Sequence, residues 1–324
     1  ATAYRIGRAA GVVFERGPIA VSRDMRRSAP AIKEALIAGL LEAGWDVVDL
    51  GLLATCMSYF SLGEYGYGGG IMVTASHNPP RYIGLKFNRA GVVPVAYENG
   101  LNKLEAAVRE GIVQKAKQPG SLIFRRSAPE DYRRHCRKLL DNLTGLKAAV
   151  DCSNGMAGQE FPTVFDGMDL DIDLFNQTLD GNFPHHSPNP LLPESRKELV
   201  TKVKETGADL GIIFDGDADR TAFIDEKGTF VPNDLVTALL AGLYLRDNPG
   251  GTIVADLRSS RTVEEYIAES GGILVKSRVG HSYIKEKMRQ TDAVFGGDIA
   301  GHYYFRDNFY SESSALTAGK MLEL

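Results

Sequence analysis

Three carboxylates stand at every second position in Asp215-Gly216-Asp217-Ala218-Asp219-Arg220. With Gly216 tightening the turn they converge on one point, where three unpaired charges repel strongly. A divalent cation removes that cost, and three carboxylates completed by waters and a phosphate oxygen suit Mg2+. An EF-hand calcium loop opens the same way, and Glu226 even falls at its twelfth place. Its sixth place requires glycine, however, and here holds Arg220. A solvated acidic turn is the remaining alternative. The second chemical group is the hydroxyl of Ser76, in Thr74-Ala75-Ser76-His77-Asn78-Pro79-Pro80. A serine is a poor nucleophile until a base, a lowered pKa or a metal activates it. Ser76 and the aspartate loop therefore make joint sense as a phosphoryl carrier and its ion. His77 offers a hydrolase dyad instead. Neighbours in extended chain point to opposite sides, though, and no Gly-x-Ser-x-Gly elbow surrounds Ser76. His77 is expected to order the loop by hydrogen bonding. Lys86 and Arg220 are either stabilisers of a transferring phosphoryl group or exposed cations at strand ends.

These groups need elements to hold them. Residues 70–73 form an apolar run that reads as a buried strand, and the two prolines beyond force a turn. Ser76 then stands at the end of a sheet, where open α/β sheets bind ligands. A plain turn of turn-favouring residues is the simpler alternative. Residues 83–87 read as the next strand, followed by a Gly91 turn and Val92-Val93-Pro94. The same order recurs with the strand 211–214, the aspartate loop, the strand 221–224, the Gly228 turn and Phe230-Val231-Pro232. A looser third copy runs through 293–295, the loop 296–302 and the strand 303–305. Upstream, residues 4–14 read as a helix and 19–21 as a strand. Apolar residues at helical spacing over 32–43 predict an amphipathic helix, with Ser28 as N-cap and Gly44 as stop. Residues 45–50 read as a strand. Gly66-Tyr67-Gly68-Gly69-Gly70 precedes a strand rather than following one, so it is read as a flexible connection, not a dinucleotide fingerprint. The fold class is thus α/β: three consecutive domains, each a mixed, mostly parallel sheet between helices, with loops converging on a central cleft. Their expected extents are 1–126, 127–231 and 232–324.

Composition narrows the partners. With 44% hydrophobic and 24% charged residues the chain is a globular protein in water. A net charge of −4 argues against a nucleic-acid binder. The longest apolar stretch, 235–245, is too short for a membrane span. The arginine-rich patch 133–138 reads as a solvated helix face. Cys56, Cys136 and Cys152 make neither a CxxC pair nor a disulfide framework, and no signal peptide opens the chain. A cytoplasmic setting is expected.

Thr74-Ala75-Ser76-His77-Asn78-Pro79 resembles the phosphoserine loop of the α-D-phosphohexomutases, the phosphoglucomutase/phosphomannomutase type. Asp215-Gly216-Asp217-Ala218-Asp219-Arg220 resembles their metal loop, and Ser22-Arg23-Asp24-Met25-Arg26-Arg27-Ser28 their Gly-Arg-Asp-x-Arg-x-Ser stretch. The resemblance covers nearly the whole chain. It implies interconversion of hexose 1-phosphate and hexose 6-phosphate through a phosphoserine at Ser76 and a bisphosphorylated intermediate. Mg2+ would sit on Ser76, Asp215, Asp217 and Asp219. Lys86 matches the lysine of a Gly-x-Lys stretch. His281, in Arg278-Val279-Gly280-His281-Ser282, matches a histidine near the sugar. Proton transfers are implied for Lys86 or His281, and phosphate contacts for Arg220, His77 and Arg258, the last standing where a lysine is usual. The expected partners are glucose or mannose phosphate and a hexose 1,6-bisphosphate activator.

The sugar loop departs from the pattern. Gly297-Asp298-Ile299-Ala300-Gly301-His302 stands for Gly-Glu-x-Ser-Gly-His. Asp298 is one methylene short and Ala300 has no hydroxyl, so the sugar that Asp298, Ala300 and His302 would read is left open. The departure also keeps two alternatives: a catalytically weak sugar-phosphate binder, and a metal-dependent sugar phosphatase. No stretch resembles the family's fourth, phosphate-gripping domain, so weak turnover by these residues alone is expected.

Overall fold

The strand–loop–strand pattern occurs three times in the computed structural model, which describes residues 1–324 except 16, 113–115 and 142. The first unit runs α1 (Thr2–Arg8), β1 (Ile19–Arg23), α2 (Ala29–Glu42), β2 (Val47–Leu52), α3 (Thr55–Glu64), β3 (Gly69–Val73), β4 (Leu85–Arg89), β5 (Val93–Pro94), α4 (Asn102–Glu110) and β6 (Leu122–Phe124). Its sheet order is β5-β4-β3-β1-β2-β6. The second holds α5 (Ala128–Leu139), β7 (Thr144–Asp151), α6 (Ala157–Phe165), β8 (Asp169–Phe175), α7 (Lys197–Thr206), β9 (Leu210–Phe214), β10 (Thr221–Asp225) and β11 (Phe230–Val231), in the order β11-β10-β9-β7-β8. The third holds α8 (Asn233–Asp247), β12 (Thr252–Asp256), α9 (Arg261–Glu269), β13 (Ile273–Ser277), α10 (His281–Thr291), β14 (Phe295–Gly297), β15 (Tyr303–Phe305), β16 (Ser311–Glu312) and α11 (Ser314–Leu322), ordered β13-β12-β14-β15-β16.

The three sheets share one plan. A parallel core turns back through an antiparallel strand, β3 to β4, β9 to β10 and β14 to β15. Each of those reversals is one of the three polar loops.

Alternation along the strands decides what each face covers. Ile19, Val21, Val47 and Ile71 pack with Leu36, Leu40 and Leu104 on a layer private to the first unit. Ala20 and Val48 turn the other way into a large shared core. The second and third units repeat this, with α7 and α10 in private layers and α6, α8 and α9 in the shared one. The inner faces of all three sheets thus meet in one apolar mass. Each fully buried Leu, Ile or Phe there contributes about 1.5–3 kcal/mol relative to exposure.

Several expectations shift in detail. The first helix ends at Arg8 and resumes as a short 3-10 turn, Ala10–Val12. Its start is pressed against α2: a Cβ on Gly39 would stand 2.1 Å from the Tyr4 carbonyl oxygen. Ser28 occupies the N-cap position of α2 but its side chain makes no capping bond. Gly69 and Gly70 are not a loose connection but part of β3, paired with β1. Glycine is needed there because the Phe14 ring lies 2.4 Å from where a Cβ of Gly69 would be. In the basic patch Arg134 and Lys138 are exposed as expected, whereas Arg137 is half-buried and donates to the Val164 carbonyl at 2.8 Å; Tyr132 and Cys136 are on the buried side of α5. Among the described residues no helix is long and apolar enough to cross a membrane.

Candidate active site

The β3–β4 loop folds against the β9–β10 loop. Gly216 permits the approach, since a Cβ there would stand 2.7 Å from the Ser76 carbonyl oxygen. Ser76 has φ 51°, a left-handed conformation costly for a side chain and one that clusters at functional sites. Arg26 holds it there. This wholly buried guanidinium donates to the carbonyls of Ser76 (2.6 Å), Asn78 (2.7 Å), Pro79 (2.9 Å) and Tyr82 (3.2 Å). Its Nε is held by Asp24 at 3.2 Å. The Ser76 amide also donates to Thr74 Oγ1 at 2.9 Å.

The Ser76 hydroxyl donates to Asp215 Oδ2 at 2.8 Å and lies 3.3 Å from His77 Nδ1. The expectation that Ser76 and His77 point apart is therefore overturned: it assumed extended chain, and the left-handed turn at Ser76 brings both to one side. Burial first, then the Arg220 cation, lowers His77 to about 4.

Asp215, Asp217 and Asp219 are buried and bring carboxylate oxygens within 4.8 Å of one another. Burial, then the two neighbouring carboxylates, pushes Asp215 above the ordinary carboxylate range. Burial alone would raise Asp219 too, but Lys86 and His302 hold it well below that range. One oxygen each of Asp217 and Asp219 is buried with no hydrogen-bond partner among the described residues. Orphaned buried oxygens on converging carboxylates fit a hard divalent cation. The acidic loop itself is fixed from the first unit: Thr55 donates through its amide to the Asp217 carbonyl (3.0 Å) and through Oγ1 to Asp217 Oδ2 (2.6 Å).

Cations ring this centre. Lys86 spans Asp217 and Asp219 at 2.7 and 2.5 Å. Against the penalty of burial, those two carboxylates raise its pKa well above the usual lysine value. Arg220 Nε lies 3.2 Å from His302 Nε2 and 3.9 Å from Asp215. His302 Nδ1 is 2.9 Å from Asp298 and its Nε2 3.5 Å from Asp219. Against burial, Asp298 and then Asp219 raise His302 to about 10. His281 stands one ring further on, its centroid 6.2 Å from that of His302. Ser76, His77, Lys86, Arg220, His281, His302 and the three aspartates are thus linked by these short steps. Arg258 stands within the field of Asp298. It pairs with the buried Asp256 at the end of β12 and keeps 45% of its side-chain surface.

The Asp298 carboxylate turns inward. One oxygen accepts from the backbone amides of Ala300 and His302, and the other from His302 and the Tyr304 hydroxyl. Ala300 is half-buried beside it. Arg26, Thr55 and Thr74 have no counterpart among the candidates named from sequence. Arg26 lay in plain view in Asp24-Met25-Arg26-Arg27. Its partners 50 to 56 residues away carry no local signal.

A serine hydroxyl, three converging carboxylates and a ring of cations, delivered by three like α/β units, define a phosphotransferase centre. The family models described as phosphoglucomutase/phosphomannomutase, alpha/beta/alpha domains I, II and III match residues 1–113, 130–228 and 232–324. A phosphomannomutase of Salmonella montevideo is 38% identical over 322 residues, covering 97% of this chain and 71% of that protein. Phosphohexose mutases of Xanthomonas campestris pv. campestris are also 38% identical, over 316 residues, covering 97% and 70%. The crystal structure of a phosphoglucomutase/phosphomannomutase family protein from Burkholderia thailandensis superposes with a TM-score of 0.93 at 31% identity, covering 99% of this chain and 72% of that one. The chain belongs to the phosphoglucomutase/phosphomannomutase family and is an enzyme of its phosphotransferase type.

Proposed function

We propose that the chain interconverts hexose 1-phosphate and hexose 6-phosphate, with glucose or mannose as the sugar and Ser76 as the phosphoryl carrier. The observation that carries this reading is the placement of Ser76 Oγ, 2.8 Å from Asp215 in a left-handed turn against three converging carboxylates. Asp215, Asp217 and Asp219, with Ser76 Oγ beside them, would hold Mg2+, which supplies Lewis-acid stabilisation of the transferring group when bound. Lys86 and Arg220 place fixed positive charge at the phosphoryl position. The ammonium of Lys86 is committed to two carboxylates, which leaves His281 as the proton acceptor for the sugar hydroxyl. A hexose 1,6-bisphosphate charges Ser76 and is also the intermediate that turns over in the cleft. Asp298 serves to shape the sugar loop around His302. The three units are read as 1–126, 127–231 and 232–324, each giving one loop. Free, buried cysteines suit a reducing cytoplasm.

The test is incubation with glucose 1,6-bisphosphate followed by peptide mass spectrometry. One phosphoryl group is expected on Ser76 and none on Ser76→Ala, which should also lose turnover by orders of magnitude. Conversion of glucose 1-phosphate or mannose 1-phosphate to the 6-phosphate is followed beside phosphate release. A label elsewhere, or release of phosphate without isomerisation, overturns the reading, the latter in favour of a phosphatase.

A further inference from the structure

Helix α10 presents His281 and Lys285 one turn apart, on the same face. Both side chains meet Glu312 of β16. Lys285 and Glu312 are 0% and 1% exposed and form an ion pair through Oε2. The Ser311 hydroxyl also donates to Oε2, at 3.3 Å. On its far side the Lys285 ammonium lies 3.9 Å from the centre of the Tyr59 ring, which comes from α3.

The other carboxylate oxygen, Oε1, is buried with no hydrogen-bond partner among the described residues. His281 Nδ1 faces it at 3.8 Å and is likewise buried and unpartnered. The ring is not sealed on its other edge: the side chain keeps 41% of its surface. It lines a cavity of about 370 Å³ together with Tyr59, Lys86 and Asn88. Two facing buried polar atoms are costly while unpaired, and a hydrogen bond between them would remove that cost. An ionised carboxylate can only accept, so the contact requires the proton on Nδ1. The lone pair is then on Nε2.

We propose that Glu312, paired with Lys285, is a positioning residue that fixes His281 as the Nδ1–H tautomer, with Nε2 facing the sugar. This rests on the reading that Ser76 exchanges phosphate with a hexose. In the first transfer the sugar oxygen bonds to phosphorus, the Ser76 Oγ–P bond breaks, and the hydroxyl proton passes to Nε2. Oγ leaves as the alkoxide. In the return transfer Oγ takes the other phosphoryl group, and Nε2 gives its proton to the sugar oxygen released. Glu312 balances the imidazolium that exists between the two steps.

The groups facing His281 are Lys285, Glu312, His302 and Lys86. Burial of its Nδ1 edge first, then Lys285, lowers the ring below its ordinary value. A phosphate dianion in the cleft opposes those cations and moves the ring back toward a useful range.

The tautomer is read directly by nitrogen-15 NMR of the histidine-labelled chain, with His281→Gln identifying the signal. The unaltered protein is expected to show neutral Nδ1–H at pH about 7. Lys285→Met/Glu312→Leu removes both charges at similar volume. It should shift His281 toward Nε2–H and lower kcat by about 10²-fold while leaving KM unchanged. Nε2–H or imidazolium in the unaltered protein overturns the proposal, even if the double variant does not fold. So does a double variant that keeps both the tautomer and kcat. Absence of phosphate on Ser76 instead overturns the reading beneath it, whatever the tautomer.

Discussion

Replacing Arg26 by methionine tests how the Ser76 loop is held. The guanidinium donates to four carbonyls of the loop and to Asp24, and its Cζ lies 5.1 Å from the Phe183 ring centre. Charge-assisted bonds at roughly 1.5–3 kcal/mol each overstate the net loss when summed, because each replaces a bond to water in the unfolded chain. The stranded carboxylate sets the scale instead. Removing one partner of a buried pair costs about 3–5 kcal/mol. Burial already raises Asp24 to about 6 with Arg26 present, so without it the group protonates near neutral pH and the cost stays within that range. Arg26→Met should therefore lose about 3–5 kcal/mol in urea unfolding. Uptake of phosphate on Ser76 should fall more than tenfold, by roughly the 1.4 kcal/mol or more that such a factor represents. Arg26→Lys supplies a charge for Asp24 but not the planar fork. It should regain part of the stability and little of the uptake. A methionine variant within about 1 kcal/mol of the parent, phosphorylated at the parental rate, would refute the clasp.

Chelating divalent ions should abolish turnover while leaving the chain folded, and Mg2+ at about 100 times its Kd should stabilise by about 2.7 kcal/mol in thermal unfolding. Asp217→Asn and Asp219→Asn should each reduce that gain; collapse of the fold on chelation, or strong preference for Ca2+, would contradict the assignment. Burial raises Glu160 to about 8 from an ordinary 4.5, with the Tyr132 hydroxyl 2.7 Å from Oε1. A carboxyl raised in the folded state contributes stability that is complete below about 4.5 and lost as pH rises through about 8. Glu160→Gln mimics the neutral acid, so its melting temperature should fall less than the parent's between about pH 6 and about pH 9; equal falls would show that Glu160 does not titrate there.

The parts legible in the sequence are those with a local cause. Asp215, Asp217 and Asp219 announce a cation by their mutual repulsion, and Pro79 and Pro80 announce the turn that presents Ser76. The strands beside both loops follow from short apolar runs. What was not legible depends on distant neighbours. Arg26 sits in a run of charges, and nothing local says that a loop 50 residues further on folds over it. Glu312 gives no sign that its partner is Lys285. The Ser76–His77 geometry escaped because alternation holds only in extended backbone, and one left-handed residue cancels it. Helix α3 escaped altogether: Thr55, Ser58, Ser61 and Gly63 break any apolar stripe, yet it is buried on every side. β6 was hidden too, because Leu122, Ile123 and Phe124 are exposed and no burial pattern marks them.

Helix α3 has a consequence for how the protein can be taken apart. It belongs to the first unit by sequence, but its ends and flanks are gripped by the others. Thr55 and Cys56 bond the aspartate loop, Phe60 packs with Tyr132 and His135 of α5, and Tyr59 covers Lys285. Against Gly63 lies the Phe309 ring, so close that a Cβ would stand 2.5 Å from it. Eight of its ten residues, Thr55 to Leu62, are sealed from water. Cutting the chain between its sheets would lay that helix bare. The smallest excisable body is therefore larger than any single sheet with its helices. Unfolding should proceed as one cooperative event, with the slowest amide exchange in α3 rather than at the centre of any strand.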